Sequence, residues 1–163
     1  EPTTVFALAR SQERELREWL YQERSTSDRS VGAGLKQIAA EVEDEHGKPI
    51  EVVTVGDARP SAQTDALLDA TRQALVNAVT HGGEPVSLYC EASDTMVEVF
   101  VRDHGEGFDM DAIPPDRLGI RESITGRIKR RGGTVEIVSR AGWGTEVRMH
   151  MPIALKAAQG EHR

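Results

Sequence analysis

The sequence has few aromatic residues, a single cysteine and no excess of basic charge. Phe, Trp and Tyr make up 4% of 163 residues, so we expect a core of Val, Ile, Leu and Ala. Cys90 has no second cysteine to pair with, which excludes an internal disulfide and favours the role of a small buried hydrophobe. The net charge of −7 argues against direct binding to nucleic acid, which requires a basic face.

Long apolar runs are also missing. No run approaches the ~20 residues of a membrane span, and no signal peptide is visible at Glu1. The hydrophobic fraction of 38% and the charged fraction of 29% are typical of a globular protein. The length allows one domain with a core plus an appendage. Because the chain starts without Met, we expect it to be a piece of a longer protein.

Apolar spacing divides the chain into four segments. Residues 5–24 repeat apolar positions every three and four residues, which predicts an N-terminal helical stub within residues 1–24. Residues 25–34 are rich in Ser and Gly and predict a linker. We expect the main domain over residues 35–152 and a flexible tail over residues 153–163.

Helical and strand patterns alternate within the main domain. They predict helices over 35–45, 61–79 and 119–131, and strands over 50–55, 86–91, 96–103, 134–140 and 145–151. Ser61 and Thr64 are both candidate caps of the second helix. The strands cluster in hairpins, so we expect an α+β fold: a two-layer sandwich with a mixed, largely antiparallel sheet, preceded by an N-terminal helix. No G-x-x-x-x-G-K-[ST] loop for phosphates occurs.

A carboxylate and two glycines follow the predicted strand over residues 96–103. Asp103 ends the strand, where a carboxylate is rigidly placed and accepts hydrogen bonds from a ligand amino group. Gly105 and Gly107 let the backbone approach such a ligand, because they lack Cβ. By itself the pattern fits an ordinary turn at least as well, since Asp and Gly are common turn residues.

Three other stretches also allow either a functional or a purely structural role. Gln73 and Asn77 lie one turn apart on the long helix, and the Asn oxygen is either a Mg²⁺ ligand or simply solvated. Gly119 opens a predicted helix, whose N-terminus is either an anion site or a plain helix start. Residues 142–145, a glycine turn ending in Thr145, are either part of a site or a hairpin turn.

In this order and spacing, the four stretches resemble the catalytic, ATP-binding domain of sensor histidine kinases. This domain belongs to the Bergerat (GHKL) ATPase superfamily shared with gyrase, Hsp90 and MutL. The N box matches residues 73–81, and the three glycine boxes match residues 103–107, 118–120 and 142–145. The short lid and the Gly-Ile-Arg-Glu-Ser-Ile sequence at 119–124 are most similar to kinases that serve LuxR-type response regulators.

The resemblance implies a role for each matching residue. Asp103 would accept a hydrogen bond from the adenine amino group, Asn77 would ligate Mg²⁺ in the catalytic centre, and Thr145 would hold adenine through a water. His81 would approach phosphate, or would interact only with the dipole of its helix. The remaining matches shape the adenine pocket and lid or meet the phosphates: Gly105, Gly107, Leu118, Gly119 and Ile120.

The sequence departs from the family at three points. Gln73 stands where a catalytic Glu is usual, and an amide does not accept a proton at neutral pH. Thr80 stands where Lys or Arg is common. A phosphoacceptor histidine is also missing, because no histidine lies on the first predicted helix or precedes an acidic residue. The histidines are His46, His81, His104, His150 and His162.

We therefore expect ATP and Mg²⁺ as cofactors, and the acceptor histidine on a dimerisation domain whose end is the 1–24 stub. Phosphate would pass from ATP to that histidine and on to a LuxR-type regulator. The parent is expected to be a membrane-anchored homodimer with this domain in the cytoplasm. Two alternatives stay open: an anti-sigma serine kinase of the same fold, and a pseudo-kinase that binds ATP without transferring phosphate.

Overall fold

A computed structural model describes residues 30–153 as three helices and five strands. Their order is α1 (Val31–His46), β1 (Ile50–Val55), α2 (Ala62–His81), β2 (Val86–Ala92), β3 (Met96–Asp103), α3 (Pro115–Lys129), β4 (Thr134–Arg140) and β5 (Gly144–Pro152). The helix predicted over 5–24 and all but the first residue of the predicted tail lie outside this range. None of the described helices is long and apolar enough to cross a bilayer.

The strands form one mixed sheet in the order β1-β2-β3-β5-β4. The β1–β2 pair is parallel, and the other three pairs are antiparallel. Along β3, Val97, Val99 and Val101 are buried while their neighbours are half-buried. The helices pack on the face that these valines occupy, with α2 in contact with both other helices. The predicted α+β sandwich with a largely antiparallel sheet is confirmed.

The buried layer is aliphatic, as the scarcity of aromatic residues requires. Its largest fully buried side chains include Leu35 of α1, Leu67 and Leu75 of α2, and Ile124 of α3. Cys90 lies in β2 with 1% of its surface exposed, and burial raises the pKa of its thiol to about 11. The cysteine therefore stays protonated at neutral pH and packs as a small apolar residue.

Helix α1 begins at Val31, so the prediction of a linker through residue 34 is wrong at its C-terminal end. Ser30 caps the helix by accepting a hydrogen bond from the Ala33 N–H at 3.2 Å. The Gly32 N–H donates to Asp57 Oδ1 at 2.9 Å. Ser and Gly favour a linker locally, but these partners satisfy the first turn and extend the helix over it.

Helix α3 begins at Pro115 rather than at Gly119, so the predicted helix start is also wrong. Proline fits the first helical position, because its fixed φ suits a helix and no N–H is needed there. The N–H groups of Arg117 and Leu118 already donate to Pro114 O, at 3.0 and 2.9 Å. Gly119 consequently lies inside the helix, past the N-terminal turn whose N–H groups would attract an anion.

The long helix α2 reaches His81, beyond the predicted end at Val79. Of the two candidate caps, Ser61 is the N-cap, and Thr64 completes a capping box with it. The two extra residues matter for the site, because they carry the helix end up to the loop that follows β3.

Candidate functional site

A pocket opens where α2 ends beside the ends of β3 and β5. Its lining includes side chains and backbone from the N box, the first and third glycine boxes and the first turn of α3: Asn77, His81, Gly82, Asp103, Gly107, Phe108, Arg117 and Thr145. The structure thus brings together five of the residues singled out from the sequence. They come from positions as far apart in the chain as 77 and 145.

Asp103 lines this pocket from the last position of β3. Its side chain is 6% exposed, and its Oδ1 accepts a hydrogen bond from the Gly105 N–H at 2.9 Å. Among the described residues, no donor is bound to Oδ2. The sheet register pairs Asp103 with Thr145 of β5, so a carboxylate and a hydroxyl lie side by side. Both are hydrogen-bond acceptors suited to a ligand that carries an amino group.

The first and third glycine boxes interlock through their backbones. The Gly142 N–H donates to Glu106 O at 2.7 Å. Gly107 has φ +71°, and a Cβ there would lie 2.1 Å from Arg140 O. Gly144 has φ +107°, and a Cβ there would lie 2.2 Å from Asp103 O. Both positions therefore require glycine for conformation and for space.

Asn77 lies one helical turn before His81 on α2 and lines the same pocket. Its Oδ1 is buried and has no hydrogen-bond partner among residues 30–153. A buried amide oxygen without a partner costs free energy unless a ligand satisfies it. Oxygen ligands suit Mg²⁺, which keeps several waters and takes few protein ligands. Residues 30–153 hold no cluster of three or more acidic, His or Cys side chains for a metal. An amide oxygen such as Asn77 Oδ1 is a donor of the type that Mg²⁺ accepts.

Arg117 brings a cation to the pocket, although the sequence alone predicts no role for this residue. Its guanidinium lies 5.5 Å from the centre of the Phe108 ring and 3.5 Å from His81 O. His81 Nε2 lies 4.0 Å from Asp116 Oδ2, so the histidine also faces the first turn of α3. A cation in the first turn opposes the helix dipole. Two features of the sequence could have indicated Arg117: its basic charge at the start of a helix, and Thr80 in place of the Lys or Arg that the family often has there.

The structure does not place the other predicted residues in the pocket lining: Gln73, Gly105, Leu118, Gly119 and Ile120. Gln73 instead joins two helices, because its Oε1 accepts a hydrogen bond from the Ser123 hydroxyl at 3.2 Å. Leu118 is 39% exposed. Gly105 lies against the backbone of Gly82 and Gly83, where a Cβ would come within 3.0 Å of both.

Comparison with known proteins agrees with this geometry. The family model described as histidine kinase-, DNA gyrase B- and HSP90-like ATPase matches residues 62–155, more than half of the chain. The chain belongs to this ATPase family, as its resemblance to histidine kinases predicted. A curated relative, the sensor histidine kinase LiaS of Bacillus subtilis (strain 168), is 28% identical over 127 residues. That match covers 75% of this chain and 35% of LiaS, so the chain spans about a third of that relative's length.

Solved structures share the fold. The histidine kinase domain from the Erythrobacter litoralis EL346 blue-light activated histidine kinase has a TM-score of 0.61 at 23% identity, over 90% of this chain and 74% of that domain. The mycobacterial sensor histidine kinase MprB has a TM-score of 0.59 at 14% identity, over 77% of this chain and 96% of that one. At these identities the likeness concerns the fold.

Proposed function

We propose that this chain is the ATP-binding catalytic domain of a sensor histidine kinase. It would bind Mg·ATP and present the γ-phosphoryl group to a histidine on a dimerisation domain of the parent protein. One observation carries the proposal: Asp103, Thr145 and Asn77 line one pocket, and the buried Oδ1 of Asn77 has no hydrogen-bond partner among the described residues. Family membership and the histidine kinase relative support it.

Each side of the pocket suits a different part of the nucleotide. Asp103 and Thr145 offer acceptors to the adenine amino group, with Gly105 and Gly107 holding the loop in place. Asn77 Oδ1 would hold Mg²⁺, which when bound neutralises charge on the phosphates. Arg117 and His81 lie at the junction of α2 with α3, where a guanidinium suits phosphate oxygens. Phosphoryl transfer depends mainly on such positioning and charge neutralisation.

The parent and its partners are part of the proposal. We propose that residues 1–24 end a dimerisation helix, that the parent is a homodimer anchored in a membrane, and that this domain works in the cytoplasm. The Gly-Ile-Arg-Glu-Ser-Ile sequence at 119–124 and the short lid support a LuxR-type response regulator as the final acceptor. The histidine kinase relative does not favour the anti-sigma kinase. A pseudo-kinase is the second candidate. The hydrogen bond between Gln73 and Ser123 favours it, because it gives position 73 the role of joining two helices in place of the role of a general base.

Nucleotide titration by calorimetry tests the adenine role of Asp103. In Asp103→Asn the amide oxygen can keep the Gly105 bond, which turns an NH₂ group toward the adenine amino group. We expect ATP affinity to fall about 10- to 100-fold, since a charge-assisted hydrogen bond of ~1.5–3 kcal/mol is replaced by two opposed donors. Asp111→Asn, in the exposed part of the same loop, makes the same charge change and should bind like wild type. Equal affinities for wild type and Asp103→Asn would refute the assignment.

A further inference from the structure

Ser139 of β4 lies directly behind the base-binding side of the pocket. The register pairs Ser139 with Thr145, and Thr145 in turn with Asp103, so the three side chains form a row across β4, β5 and β3. Ser139 is 3% exposed and does not line the pocket. It therefore acts on a ligand only through its neighbours.

Three hydrogen bonds use the full capacity of the Ser139 hydroxyl. The Phe108 N–H donates to its Oγ at 2.9 Å. Its own proton goes to Gly144 O at 3.0 Å, because a carbonyl can only accept. The third contact joins Ser139 Oγ to Thr145 Oγ1 at 2.8 Å. Since a hydroxyl donates once and accepts twice, all three contacts are satisfied together only when Thr145 donates to Ser139.

This proton count fixes what Thr145 offers to a ligand. Its hydroxyl proton points at Ser139, so only lone pairs remain for the pocket. Asp103, beside it, is also an acceptor. The base corner is then made of acceptors, which suit a purine with an amino group at C6 and oppose one with a carbonyl oxygen there.

We propose that Ser139 is a positioning residue that selects 6-amino over 6-oxo purine nucleotides by holding Thr145 as an acceptor. The inference rests on the proposed function, since it assumes that this pocket binds a purine triphosphate. Without the Ser139 hydroxyl, Thr145 is free to rotate its proton into the pocket and donate to a 6-oxo group. The loss of Ser139 should therefore weaken discrimination and not only affinity.

Inosine triphosphate is the probe, because its base carries an oxygen at C6 and a proton on N1 where the adenine of ATP carries an amino group and an unprotonated N1. Dissociation constants for ATP and inosine triphosphate would be measured by calorimetry for wild type, Ser139→Ala, Thr145→Val and the double variant. We expect wild type to prefer ATP, and Ser139→Ala to lower that preference about fivefold to tenfold, the equivalent of about one hydrogen bond. In the Thr145→Val background, the further Ser139→Ala change should leave the preference as it is, because no hydroxyl proton remains to be released.

A merely structural Ser139 would give a different result: affinities for both nucleotides would fall together and their ratio would stay at the wild-type value. That result would overturn the inference. If Ser139→Ala does not fold, Thr145→Val still tests the inference. This variant removes the lone pairs that face the base, so the preference for ATP over inosine triphosphate should fall partially. An unchanged ratio in Thr145→Val refutes the role of the hydroxyl. Failure of wild type to bind either nucleotide would refute the proposed function instead.

Discussion

At the scale of single residues, the carboxylate of Asp103 is held by backbone that leaves no room for a side chain. A Cβ on Gly82 would lie 2.3 Å from Asp103 Cγ and 2.6 Å from Ala78 O. We expect Gly82→Ala to displace the carboxylate, to lower ATP affinity at least about 10-fold, and to destabilise the fold by about 1–3 kcal/mol through overpacking. Calorimetry and urea unfolding measure the two effects.

Gly126→Ala on α3 is the matched control for this substitution. A Cβ there would meet only the tip of Arg130, at 3.4 Å, and a helix interior favours Ala over Gly by up to ~1 kcal/mol. We expect unchanged ATP affinity and a small gain in stability. Wild-type affinity in Gly82→Ala would contradict the tight fit described at this position.

The sequence predicts which single residues line the pocket where a residue type within a motif indicates its chemistry. The sequence offers Asp103 at a strand end and Asn77 on a helix as candidates, and both line the pocket. Ser139 and Arg117 are not among these candidates, because their roles arise from partners that only the fold supplies: Ser139 meets Phe108 31 residues away, and Arg117 reaches His81 36 residues away. Gln73 was recognised as unusual, but its bond to Ser123 was not visible.

At the scale of elements, helix α1 is anchored to the loop after β1 by the Asp57 carboxylate. Burial raises the pKa of Asp57, but hydrogen bonds from Gly32, Ser30 and Ala58 and the charge of Lys36 together bring it below the usual value of 3.8. A carboxyl group with a lowered pKa stabilises the fold above the unfolded value. The contribution is lost as the pH falls through the lower, folded-state value.

We expect Asp57→Asn to lower the free energy of unfolding by about 0.5–1 kcal/mol at neutral pH, a value reduced for the exposure of this side chain. The difference from wild type should shrink toward zero as the pH falls below 3.8, where the wild-type carboxylate becomes protonated. Urea unfolding across this pH range measures it. Asp94→Asn, in the exposed β2–β3 hairpin, is the control for the change in charge. A pH-independent effect of Asp57→Asn would contradict the anchor.

Elements were predicted well where periodicity is strong and less well at their ends. The two misplaced helix starts, at Val31 and Pro115, both follow from local composition. Ser and Gly before α1 resemble a linker, but Asp57 supplies a distant acceptor to the first turn. The Pro114–Pro115 pair resembles a loop, yet the second proline opens α3. Because Pro115 starts the helix, Gly119 is moved away from the anion-attracting end.

At the scale of the whole molecule, a chain of net charge −7 would have to bind a polyanion. Long-range repulsion therefore opposes binding of the nucleotide, and the affinity has to come from local groups. In the proposed function, Arg117, His81 and a cation at Asn77 would supply it. The fold achieves this by bringing the end of α2 and the start of α3 to the same end of the sheet.

We predict that position 73 decides whether a bound nucleotide is used for phosphoryl transfer. Gln73→Glu keeps an acceptor for Ser123, so the α2–α3 contact survives, and it adds the carboxylate that a general base requires. In the parent kinase, with its acceptor histidine, we expect autophosphorylation from labelled ATP to rise, by about 100-fold if the base is limiting.

Gln63→Glu near the start of α2 makes the same change in charge and should leave the rate unchanged. An unchanged rate in Gln73→Glu would show that the carboxylate is not limiting. Nucleotide binding without transfer in both proteins would favour the pseudo-kinase, because the pocket would then bind ATP for its effect on partners.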